Sequence, residues 1–158
     1  MQIEAIGTIY SPFKRIDDMP IQPSGAKGTI GQLVLNPELV DGLADLEGFS
    51  HIIVLYYFHR ASKTRLTVTP FLDSDSHGVF ATRAPTRPNH IGLSIVKLNK
   101  VLGNIIEVED IDILSGTPLL DIKPYVPEFD QPDDEIQTGW IQKNRDGVKK
   151  ARSDKRFA

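Results

Sequence analysis

The 158-residue sequence contains no cysteine, which removes disulfides, thiolate metal sites and cysteine nucleophiles from consideration and suits a reducing compartment. No apolar run approaches the roughly 20 residues that a membrane-spanning helix needs. The first residues, MQIEAIGTIYSP, lack the basic-then-apolar layout of a secretory signal. The expectation is a cytoplasmic protein with no membrane partner. Glycine-rich phosphate-binding patterns are also missing: there is no G-x-G-x-x-G and no P-loop, which argues against a dinucleotide-binding or nucleotide-hydrolysing α/β domain. Without a G-x-S-x-G elbow, Ser94 reads as a strand residue rather than a nucleophile. His51, His59, His77 and His90 show neither H-x-H nor H-E-x-x-H spacing, so no metal is expected. A global basic field is lacking too. The chain has 18 Lys and Arg against 21 Asp and Glu, a net charge of −3, unlike a protein that coats nucleic acid non-specifically.

What is present is an ordinary globular composition, 40% hydrophobic and 25% charged, in a chain long enough for one domain with a real core. The charge is unevenly placed. From Trp140 onward there are seven Lys and Arg against two Asp, a net of +5, leaving −8 on residues 1–139. We therefore divide the chain into a main domain, 1–139, and a basic C-terminal helix or tail, 140–158. The tail reads either as a solvated terminus or as an arm that contacts phosphates.

Short extended segments dominate the main domain. GTIGQLVLNP has strand composition and is stopped by Pro37. SHIIVLYYFHR, continuous and apolar, reads as a strand buried on both faces. GLSIVKLNKVLGNIIEVEDIDIL reads as two strands turned at Gly103-Asn104, on which Asp110 and Asp112 would face the same way. Helix signals are few. In NPELVDGLADLEGF, Asn36 is placed to cap, Pro37 suits the first turn, and Leu39, Leu43 and Leu46 lie about one turn apart. A second, weaker helix is predicted over IQTGWIQKNRDGVKKA. The fold class expected is mainly β: a small β-barrel with one or two short helices, in which closure removes exposed strand edges.

The most unusual segment is GVFATRAPTRPNHIGLS, residues 78–94. Pro85 and Pro88 push the preceding residues out of the helical region and remove two backbone donors. Residues 83–90 should therefore be a stiff extended loop that displays Arg83 and Arg87. A guanidinium on such a loop offers a planar fork to a carboxylate or phosphate. A connection with two surface arginines explains the same residues, and the local pattern leaves both readings open.

This segment resembles the signature of the TsaA/TrmO-like family. SGTPLLDIKPYVP (115–127), IGTIYSPFK (6–14) and LEGFSHIIVLYYFHR (46–60) resemble three further blocks of that family, in the same order. The resemblance implies an S-adenosyl-L-methionine-dependent methyltransferase built on a β-barrel, working as a homodimer with the methyl donor near the subunit interface. It implies N6 of threonylcarbamoyladenosine at tRNA position 37 as acceptor. A same-fold methyltransferase acting on a small molecule or another nucleic acid, and a non-catalytic barrel-shaped binding module, are the alternatives. Transferred motif by motif, the implied donor-binding residues are Gln22, Pro23, Ser24, His59, Arg60, Arg83, Leu93 and Asp112. Arg87 and Asn89 would border the acceptor, together with a catalytic face formed by Asp121, Lys123 and Tyr125. Ser24 stands where the family has glycine, and His90 where it has proline.

Overall fold

The computed structural model describes residues 2–17 and 19–157, leaving aside the side chains at 144–146 and 155. Among the described residues there are eight strands: β1 (Gly7–Tyr10), β2 (Ile30–Leu35), β3 (His51–Tyr57), β4 (Thr67–Val68), β5 (His77–Gly78), β6 (Ile91–Leu102), β7 (Ile105–Glu109) and β8 (Thr117–Pro124). Six of them close into an antiparallel barrel in the order β1-β2-β7-β6-β3-β8. The expected small β-barrel is what the chain forms.

Alternation along each barrel strand decides what fills the interior. Ile9, Leu33, Ile52, Val54, Val96, Ile106, Val108 and Leu119 point inward and are fully buried. Each such side chain contributes roughly 1.5–3 kcal/mol of burial free energy. Ile111 and Ile113 follow β7 and close one end of this core. Closure demands bending, and two irregularities of register supply it. Leu120 is extra between the pairs Leu55↔Asp121 and Tyr56↔Leu119, and Asn99 between Leu98↔Val108 and Lys100↔Glu107. The β6–β7 hairpin turns at Gly103-Asn104 as expected, with Gly103 at φ 59. Such a φ carries little strain in glycine alone.

Several local expectations fail. β3 is not buried on both faces, because only its inward residues meet the core; His51, Ile53 and Leu55 are half-buried and Tyr57 is exposed. The helix expected from Asn36 is two short 3-10 segments, Pro37–Leu43 and Leu46–Gly48. Glycines at 42 and 48 weaken an α-helix there. Asn36 does not cap; its side-chain N–H donates to the carbonyl of Ala5 at 3.2 Å. Leu43 is buried while Leu39 is exposed, so the three leucines share no face. The second predicted helix is also 3-10, over Gly139–Gly147. The α-helix among the described residues, α1 (Pro127–Asp130), is a single turn in the acidic, proline-bearing stretch.

Between β3 and β6 the chain leaves the barrel and builds a cap. It contains the β4–β5 pair, a 3-10 turn over Val79–Ala81 and the proline loop. The C-terminal segment packs on this cap instead of extending from it. Phe157 joins Val68, Val79, Ala84 and Phe71 in a second apolar cluster, and its ring meets that of Phe71 edge-on at 5.1 Å. The Arg156 guanidinium lies over Phe71 at 4.8 Å and donates to the Pro70 carbonyl at 3.0 Å. The Ser153 amide donates to the Met19 carbonyl at 2.8 Å. The basic residue Arg156 here serves packing through its stem and head, so the end of the C-terminal segment lies against the cap.

Candidate active site

A cavity of about 1030 Å³ lies where the barrel end meets the cap. Tyr56 on β3 and Gly92 on β6, with Asp112 and Ile113 in the segment after β7, form its floor. The cap supplies Phe71, Phe80 and Arg83, the C-terminal segment Trp140 and Phe157. It reaches the upper end of the range of small-molecule sites, about 300–1,000 Å³, and its lining is chiefly apolar with a few polar groups.

The floor holds an ordered chain of hydrogen bonds. The Ser94 hydroxyl, fully buried, donates to Asp112 Oδ1 at 2.7 Å. Its one proton is then committed, so the Tyr56 hydroxyl donates to Ser94 Oγ, at 3.3 Å. Sheet register produces this meeting. On β3 and β6 the pairs Val54↔Ser94 and Tyr56↔Gly92 face inward. A Cβ on Gly92 would sit 2.3 Å from the Tyr56 ring, so the ring occupies the side-chain space that glycine leaves empty. Burial raises the Tyr56 phenol well above its ordinary range, with help from the Asp112 charge; it remains a donor. Burial also raises Asp112 to about 6, against the opposing effects of the Ser94 hydrogen bond and the Arg83 charge.

Across the cavity, Arg83 Nη1 donates to Gln22 Oε1 at 3.1 Å. The loop carrying Arg83 is braced at several points. The Thr82 hydroxyl donates to the Val79 carbonyl and accepts from the Ala84 amide, at 2.9 and 3.2 Å. Arg87 Nη1 donates to the Thr82 carbonyl at 2.9 Å, and His90 Nδ1 to the Pro85 carbonyl at 2.9 Å. Asn89 and His90 both have positive φ, 65 and 49. Proline is locked near −65°, so this turn is open to His90 and closed to a proline at that position. His59, in a tight turn after β3, is held toward its neutral form by burial and by the neighbouring Arg60.

Gln22, His59, Arg60, Arg83, Leu93 and Asp112 thus line one cavity, with Arg87 and Asn89. Pro23 and Ser24 form a 3-10 turn behind Gln22 and are not part of the lining. Asp110 does not share a strand face with Asp112. Its φ of 67 breaks the alternation, and it accepts a hydrogen bond from the Gly28 amide at 2.6 Å instead. Asp121, Lys123 and Tyr125 do not border the cavity within one chain. Asp121 pairs across the sheet with Leu55, which faces outward, and makes a 2.8 Å ion pair with Lys123 on the barrel's outer surface. Sequence reasoning missed Tyr56, Phe80 and Trp140 as cavity residues and assigned Ser94 no partner. The one available signal was a glycine, Gly92, inside an otherwise regular strand. Among the described residues no cluster of three or more His, Asp or Glu is placed to hold a metal.

A closed antiparallel barrel with a braced guanidinium facing a hydrogen-bonded carboxylate defines a small-molecule-binding barrel, suited to a ligand that carries an anionic group, donor groups and an apolar body. Similarity to known proteins narrows this class. The family described as tRNA-methyltransferase O N-terminal domain matches residues 8–131, and the chain belongs to that family. A probable S-adenosyl-L-methionine-binding protein of Pyrococcus abyssi is 55% identical over 152 residues, covering 96% of this chain and 82% of that protein. The human tRNA (adenine(37)-N6)-methyltransferase is 40% identical over 139 residues, covering 82% of this chain and 31% of the human one. A crystal structure of TrmO from Pseudomonas aeruginosa superposes with a TM-score of 0.74 at 39% identity, covering 89% of this chain and 62% of that chain. The chain therefore spans less than two thirds of the solved TrmO and about a third of the human enzyme.

Proposed function

We propose that this protein is an S-adenosyl-L-methionine-dependent methyltransferase acting on N6 of adenosine 37 of tRNA, in its threonylcarbamoyl form. The observation that carries the reading is that Arg83, held by Gln22, and Asp112, held by Ser94, line one cavity and are near enough for their charges to interact. The donor has a carboxylate, an ammonium, ribose hydroxyls and an adenine. Arg83 would hold the carboxylate and Asp112 a hydroxyl or the ammonium, with Leu93 against the apolar body. When bound, the donor supplies an electrophilic methyl group. The chain's own contribution is alignment and exclusion of water, through an apolar wall that includes Phe58, Phe71 and Ile113. The proton that leaves N6 has two lining groups able to receive it, Asp112 and the neutral His59.

A homodimer belongs to the same reading. On the outer face of β3 and β6 the pairs Ile53↔Ile95, Leu55↔Leu93 and Tyr57↔Ile91 form a continuous apolar strip. Its members Tyr57, Ile91, Leu93 and Ile95 are substantially exposed. The ion pairs Asp121–Lys123 and Lys97–Glu109 flank it, the arrangement of an interface core and rim. Leu93 belongs both to the strip and to the cavity lining, so a second copy seated there would adjoin the site. A cytoplasmic location is part of the proposal.

The test is labelled methyl transfer from S-adenosyl-L-methionine to tRNA with and without the threonylcarbamoyl group, followed by nucleoside analysis. Methylated N6 only in the modified tRNA is expected. Label in small metabolites but not tRNA moves the acceptor class; donor binding without turnover leaves a binding module. Arg83→Ala should weaken donor binding by roughly 1.5–3 kcal/mol, the worth of a charged hydrogen bond; calorimetry showing undiminished affinity removes Arg83 from the site. Ile95→Glu, away from the cavity, should yield monomers in sedimentation.

A further inference from the structure

Phe80 is 75% exposed, yet it lines the cavity. An aromatic ring left in water forgoes the burial that would stabilise it, and single exposed apolar residues need no explanation by themselves. The surroundings of this one do. Its backbone is pinned on both sides. Val79, 1% exposed, anchors the turn in the second apolar cluster. The Thr82 amide and hydroxyl both bond the Val79 carbonyl, at 3.1 and 2.9 Å. The Trp140 indole N–H bonds the Ala81 carbonyl at 2.8 Å, and its ring stacks on His77 at 4.5 Å. A rigid turn thus presents a free ring face at the cavity rim, three residues from Arg83. Phe129, more exposed still at 84%, has no such setting and does not line the cavity.

We propose that Phe80 is a stacking platform for the acceptor's purine base. The inference rests on the methyltransferase reading above and adds the surface on which the acceptor is held. Enzymes that modify a base take it out of its stack and replace the lost stacking with an aromatic or apolar wall. A ring is well suited because every base has a π-face, while a charged group beside it engages the phosphate or sugar. The floor chain of Tyr56, Ser94 and Asp112 is deeper and serves the donor. Among the aromatic rings that line the cavity, Phe80 is the one most exposed, and so the one with a face open to a second ligand.

The experiment uses an anticodon stem–loop RNA with 2-aminopurine at position 37, whose fluorescence falls on stacking. Wild-type protein with S-adenosyl-L-methionine present should quench it. Phe80→Leu, apolar but not aromatic, should weaken RNA binding about 5- to 150-fold, the range for one base–aromatic stack, and lose most of the quench. Phe80→Trp and Phe80→Tyr should retain both, and donor affinity by calorimetry should stay within about twofold in all three variants. Quenching by Phe80→Leu equal to wild type, or none by wild type, overturns the proposal. Loss of donor affinity with RNA binding intact would reassign the ring to the donor's adenine. Dissociation of a dimer with RNA binding intact would show that a second copy covers it. Quenching by a wild-type protein that transfers no methyl keeps the platform and defeats the methyltransferase reading, so the two fail separately.

Discussion

Asp112 offers a quantitative test of the site. Its carboxyl is raised from 3.8 to about 6, with burial as the largest cause. The folded protein then binds this proton more tightly than the unfolded chain between those two pH values, so stability falls as pH rises through that window. Each pH unit is worth about 1.36 kcal/mol, so the full penalty approaches about 3 kcal/mol above pH 6. Asp112→Asn keeps an oxygen that can accept from Ser94 and removes the charge. The variant should therefore be more stable than wild type by up to about 3 kcal/mol at pH 8. The gain should fade between about pH 6 and 4 and vanish below. Urea unfolding at a series of pH values measures this directly. The same variant should bind the methyl donor less well, because a buried group kept at a cost to stability is being kept for its ligand. Wild-type donor affinity should likewise decline as pH falls through about 6. A stability difference that is absent, or constant from pH 4 to 8, refutes the assignment of Asp112 as a half-buried, costly carboxylate.

Gly92→Ala places a methyl group 2.3 Å from the Tyr56 ring; it should cost roughly 1–3 kcal/mol through overpacking and displace Tyr56 from Ser94, readable as a loss of donor affinity beyond the loss of stability. Thr86 is 3% exposed, and its hydroxyl has no hydrogen-bond partner among the described residues; Thr86→Val should stabilise by about 1 kcal/mol, and destabilisation in thermal melts would reveal a partner. Truncation after Gly139 removes Trp140 and Phe157 from the cavity wall and uncovers Val68, Val79 and Phe71. It should therefore lower both stability and donor affinity; unchanged donor affinity with weaker tRNA binding would restore the C-terminal segment as an independent phosphate-contacting arm.

The sequence by itself determined the strand content, the β6–β7 hairpin and the barrel class. Those follow from local periods and turn residues that act within a few positions of one another. The proline-braced loop and its arginine were legible in part: Pro85 and Pro88 restrict the backbone whatever surrounds them, but the expected extended course over 83–90 ends in a 3-10 turn at Pro88–His90. The family blocks contain about half of the cavity lining. Three things depended on tertiary structure. Ser94 and Asp112 are 18 positions apart, and Tyr56 lies 38 positions before Ser94; only barrel register brings them together. Asp121 and Lys123 alternate as expected, but which way a strand face points is set by its pairing partner, and Leu55 turns them outward. The basic C-terminal segment reads as a tail in composition, yet Phe157 and Arg156 find their partner, Phe71, more than eighty residues earlier in the chain. Charge counts record what a segment carries, and long-range packing decides what it touches.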